Sequence, residues 1–114
     1  MKLSQIIELL NAKVRTNNFS PDKNIKKGLA SDLMSDVLTL STDDGLLITG
    51  LNNVQTIRTA EMAEIVVVVI VRNKKISDEM LKIAEENEIV VLECKYSLFK
   101  AAGILYSNGL ESVY

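Results

Sequence analysis

The chain has 114 residues, 47% of them hydrophobic and 25% charged, which suffices for one hydrophobic core and lies far from disordered composition. A formal charge of −2 and 4% aromatic residues supply neither the basic surface nor the stacking platforms of a nucleic-acid binder, and no attraction to anionic lipid. With no histidine and one cysteine, the usual zinc sites, the Ser-His-Asp and Cys-His catalytic arrangements and an intramolecular disulfide are excluded.

The N-terminal stretch predicts an amphipathic helix capped by Ser4, with Ile6, Ile7, Leu9 and Leu10 on its apolar face. Glu8 inside that pattern argues against a signal peptide. Ala12 to Thr16 reads as a short strand, Asn17 to Asn24 as a polar loop holding the only proline, and Lys26 to Ala30 as a second short strand. Ser31 to Val37 and Leu38 suit a short helix with Ser31 or Asp32 as its cap and Leu33, Met34 and Val37 on one face. Thr42 to Gly45 is a turn, and Leu46 to Thr49 an apolar strand.

A helix opening at Asn52 or Asn53 runs to about Glu64, with Val54, Ile57, Ala60 and Ala63 at three-residue spacing. Ile65 to Val71 is then an unbroken run of β-branched residues, which predicts a central strand covered on both faces. Its length is far too short to span a bilayer as a helix. Ser77 caps a helix to about Asn87, Ile89 to Glu93 is a strand, and Ser97 starts a last helix ending at Asn108 and Gly109. The expected architecture is α/β, a mainly parallel or mixed central sheet with helices on both faces, in a single domain over residues 1–114. A lone cysteine and no signal segment lead us to expect a cytoplasmic protein without membrane association.

Gly45 to Gly50 has the glycine spacing of a P-loop, but Leu51 and Asn52 stand where lysine and Ser/Thr are required, so it is a chance match. In parallel sheets, ligands usually sit beyond the carboxyl ends of the strands. There the sequence gathers the candidate ligand-binding residues Ser31, Asp32, Thr49, Asn52, Asn53 and Arg72, followed by Asn73, Lys74 and Lys75. Such an edge suits a small anionic metabolite. The competing reading makes these residues plain helix caps. Cys94 closes a strand and reads as a core residue, with activation by Lys95 as the alternative. Ala101, Ala102 and Gly103 permit close packing, either onto the sheet or, with Tyr106 and Tyr114, onto a second copy. A short aliphatic chain with two sheet faces to cover favours a homodimer.

The run Asp22-Lys23-Asn24-Ile25-Lys26-Lys27-Gly28-Leu29-Ala30-Ser31-Asp32-Leu33-Met34-Ser35-Asp36-Val37 resembles the DRTGG domain family, as does the strand–loop–helix from Leu46 through Thr49 and Asn53 to Ala60. The namesake segment is reduced here to Asn24-Ile25-Lys26-Lys27-Gly28 and keeps one glycine, whereas the Ser31-Asp32 and Asn53 matches are intact. The resemblance implies a module like the N-terminal domain of HPr kinase/phosphorylase, associated with subunit association or ligand sensing. We therefore expect a non-catalytic regulatory domain, homodimeric, binding a small anionic, nucleotide-like ligand or a partner protein. No cofactor, metal site or catalytic residue is expected. A pure assembly module is the alternative, and a small enzyme using Asp32 or Asp36 as acid/base is the remote one.

Overall fold

Six β-branched residues in succession disfavour a helix at χ1 and offer no polar face, so they settle where both sides are apolar. In the computed structural model, which describes all of residues 1–114, they form β4 (Ile65–Ile70), flanked on one side by β3 (Gly45–Thr49) and on the other by β5 (Val90–Glu93). Outside β3 lie β2 (Lys27–Ala30) and β6 (Glu111–Ser112), and outside β5 lies β1 (Lys13–Val14), giving the order β1-β5-β4-β3-β2-β6. All neighbours are parallel except β1, which runs antiparallel to β5 with Lys13 opposite Glu93.

The alternation of side chains along β3, β4 and β5 divides the core in two. Leu46, Ile48, Val67, Val69, Val90 and Leu92 face α1 (Leu3–Leu10) and α5 (Leu98–Ser107). Leu47, Val68, Ile70 and Val91 face α2 (Met34–Val37), α3 (Val54–Met62) and α4 (Asp78–Glu86). The chain's own helices thus cover both faces of the sheet. The homodimer expected from uncovered faces loses that basis.

Three further expectations change. Ser4 lies inside α1 and not at its cap. Leu3 and Ile6 are buried together, and the helix starts two residues earlier, at Lys2, where the backbone N–H donates to Gln5 Oε1 at 3.0 Å. The helix expected over 31–38 is the single turn α2, with Leu33 at its cap position and no side-chain cap from Ser31 or Asp32. The strand expected over 12–16 is only two residues long: Arg15 N–H still reaches Val91 O at 2.9 Å, but the Val91 N–H donates to the Thr16 hydroxyl at 3.3 Å, so a side chain takes the place of the ladder's return bond. β6 carries no apolar run, and nothing in its sequence announces it. No helix is long and apolar enough to cross a membrane.

Candidate functional site

The parallel strands deliver four loops to one edge of the sheet. The loop after β2 carries Asp32, whose two carboxylate oxygens have separate partners. Oδ1 accepts the Thr49 hydroxyl at 3.0 Å and the Gly50 N–H at 2.7 Å, at the end of β3. Oδ2 accepts from Arg72 Nη2 at 3.0 Å, from the loop after β4. Donation by the Gly50 N–H is the main cause holding the Asp32 carboxyl below the usual aspartate range; the Thr49 hydroxyl and the Arg72 charge add to it against partial burial.

At Gly50 an added Cβ would stand 1.7 Å from Arg72 Nη2, so the guanidinium lies on bare backbone and would have to swing away from any side chain at 50. Arg72 and Asn73 both take positive φ, +65° and +54°, a conformation uncommon for residues with a side chain. The turn is held by its own backbone donors, Arg72 N–H to Tyr96 O at 2.8 Å and Asn73 N–H to Cys94 O at 3.0 Å. The loops after β4 and β5 are thereby locked together. Only Asp32 holds the guanidinium itself.

The asparagine pair divides its work. Asn53 caps α3, its Oδ1 accepting the Thr56 N–H at 3.0 Å and the Thr56 hydroxyl at 3.1 Å. Asn52 does not cap; its Nδ2 donates to Lys75 O at 2.8 Å and ties the start of α3 to the loop before α4. Ser31 closes a local turn in which its Oγ accepts the Leu33 N–H at 3.0 Å. The structure therefore brings Asp32, Thr49 and Arg72 into one cluster, sets Asn52 beside it, and gives Ser31 and Asn53 local backbone roles. Sequence reasoning missed Gly50 as the seat of Arg72. A clash between positions 50 and 72 leaves no trace in local pattern.

The edge is basic on its β4–β5 side. Lys74, Lys75, Lys95 and Lys100 follow those strands, and none has a carboxylate within ion-pair distance. Lys100 lies over the Tyr96 ring at 4.0 Å, and Asp78 and Glu79 occupy the first turn of α4. The opposite edge is mainly acidic, with Asp43 and Asp44 before β3, Glu61 and Glu64 before β4, and Glu86 and Glu88 before β5, against Lys26 and Lys27 at the start of β2. Cys94 is buried with its Sγ 3.6 Å from Leu10 O, and burial pushes its thiol pKa up against the Tyr96 backbone hydrogen bond and the Lys100 charge; Lys95 has no part in this. It is a core residue.

None of the six candidate residues lines a concavity. The most apolar one, about 310 Å³, lies instead between α5, β2 and β6, with Gly28, Ala30, Ile48, Leu105, Tyr106 and Tyr114 among its walls.

No curated protein sequence matches the chain. Among solved structures it is similar to the CBS and DRTGG domains of the regulatory region of Clostridium perfringens pyrophosphatase, complexed with its activator diadenosine tetraphosphate. The TM-score is 0.71 at 16% identity, over 91% of this chain and 45% of that one, so the likeness is one of fold and the chain spans less than half the neighbour's length. The mostly parallel six-stranded sheet with its helices is the architecture the two share. Residues 5–107, nearly the whole chain, match the family described as DRTGG domain. The chain belongs to the DRTGG domain family.

Proposed function

We propose that this chain is a non-catalytic regulatory module that senses a small anionic metabolite at the carboxyl edge of its sheet and works as a homodimer. The observation that carries the sensing role is Arg72. Its guanidinium is seated on Gly50 at an exposed edge, with Asp32 as its only protein partner and four nearby lysines free of carboxylates. Arginine offers five N–H donors in a fork suited to phosphate and carboxylate, and one of them is engaged here. A regulatory region of the same fold in a complex with a nucleotide activator supports the reading. That region also contains CBS domains, so the class of ligand, not its identity, is what carries over.

Isothermal titration with ATP and with diadenosine tetraphosphate tests the edge. Binding by the unmodified chain and its loss in Arg72→Gln is the expected result; equal binding by both would remove Arg72 from the site. Asn53→Ala is the poorer probe, because it removes the α3 cap at a cost of about 1 kcal/mol. A lost response there would not separate site from fold.

The homodimer reading rests on α5 and the C-terminus, where Tyr106 and Tyr114, lining the apolar groove, are 70% and 85% exposed and Phe99, two turns before Tyr106 on α5, is 90% exposed. Large aromatics clustered on one face are characteristic of interfaces. Sedimentation velocity should give a dimer that Tyr106→Glu converts to a monomer with unchanged far-UV circular dichroism. A monomer at all concentrations for the unmodified chain would overturn it.

A further inference from the structure

Resting on the anion-sensing reading above, the geometry points to a second feature of the same edge: Asp32 is a built-in competitor that occupies Arg72 until a phosphoryl group displaces it. The two oxygens of Asp32 are chemically separable. Oδ1 ties the β2 loop to the end of β3 through Thr49 and Gly50, and Oδ2 does nothing except hold Arg72. Losing the second contact leaves the first intact, so the guanidinium can be released without unpicking the edge.

The side chain is free to exchange partners in a way its backbone is not. Arg72 and Asn73 are fixed by their N–H groups on Tyr96 O and Cys94 O. The guanidinium, by contrast, is 43% exposed and meets a carboxylate that is 37% exposed. Exposed pairs of this kind are weak, within about 1 kcal/mol, because solvent screens them. A phosphoryl group carries up to two negative charges where Asp32 carries one, and can engage two of the guanidinium donors at once. Lys74 and Lys75, two and three residues after Arg72 and without carboxylate partners, favour the higher charge. A monovalent carboxylate ligand has no such advantage over Asp32. The ligand class is therefore a phosphate or polyphosphate group, and Asp32 sets the threshold concentration at which it binds.

Asp32→Asn separates the two contacts, since the amide oxygen still accepts from Thr49 and Gly50 while the charge facing Arg72 is gone. Inorganic pyrophosphate titrated at constant ionic strength should bind Asp32→Asn roughly three- to fivefold more tightly than the unmodified chain, the equivalent of about 0.6–1 kcal/mol, and Arg72→Gln not at all. Acetate should bind neither detectably. Loss in Arg72→Gln without tightening in Asp32→Asn overturns the competitor and leaves the anion site standing. Undiminished binding in Arg72→Gln, or no binding to the unmodified chain and Asp32→Asn alike, overturns both. A measurement on the unmodified chain covers the case in which the variant does not fold. The Asp32 carboxyl carbon, followed by NMR, should titrate at higher pH with saturating pyrophosphate than without it, because Arg72 has left and a negative charge has arrived. An unchanged midpoint overturns the displacement.

Discussion

Asp32 stabilises the folded edge as an anion, and the direction of its pKa shift sets where that stabilisation disappears. The folded carboxyl titrates below its unfolded value, about 3.9, chiefly because the Gly50 N–H donates to it. A group with a depressed folded pKa contributes fully above the unfolded value and loses its contribution as pH falls through the folded one. Thermal melts from neutral pH downward should therefore fall more steeply below about pH 4 in the unmodified chain than in Asp32→Asn. Parallel curves would show that the carboxylate is uncoupled from folding. At this scale the sequence was read only in part. Ser77, Ser97 and Asn53 are caps because each lies immediately before a helical pattern, and each accepts the N–H three residues on. Asp32 looked like a cap by the same logic. Its partners lie 17, 18 and 40 residues away, and no local spacing encodes them.

Among the elements, β4 was legible because burial on two faces imprints directly on composition, and the helices were legible through their caps and periodicity. β6 was not, being two exposed polar residues whose pairing depends on what precedes them. Leu110 is that anchor. Its N–H donates to Leu105 O at 3.0 Å, closing α5 past Gly109 at φ +105°. Its side chain is buried above Gly28, where an added Cβ would stand 2.8 Å from Leu110 Cδ2. With the anchor in place, Glu111 and Val113 N–H reach Lys26 O and Gly28 O. Leu110→Ala should cost about 2–3 kcal/mol in urea unfolding and strip the Val113 amide of its exchange protection. A loss below about 0.5 kcal/mol, the range of ordinary surface changes, would show that β6 holds without it.

For the molecule as a whole, the exposed surface is 6087 Å², against about 6,200 Å² expected for a folded monomer of this size. A single copy therefore buries what a protein of its length should. Any dimer adds an interface to a finished fold and does not complete a deficient one. This shifts the homodimer from the aliphatic content of the sequence, which the chain's own helices accommodate, to the few aromatics on α5 and at the C-terminus. The charge polarity across the sheet belongs to this scale too. A net charge of −2 conceals a basic edge and an acidic one, because composition sums over a direction that only the parallel strands create.

All five aromatic residues lie outside the fully buried core, which is built from aliphatic side chains, Met80 and Cys94. The protein's optical and structural signals are consequently divided by place. Tyrosine emission comes from Tyr96, beneath Lys100 and packed against the rim of the core, and from Tyr106 and Tyr114 at the groove, so most of it reports on the surface. The methyl resonances of the buried Ile, Val and Leu residues carry the complementary record, of the interior. A fluorescence change without a methyl change would thus mark an event at the surface, and the reverse would mark a loosening of the sheet.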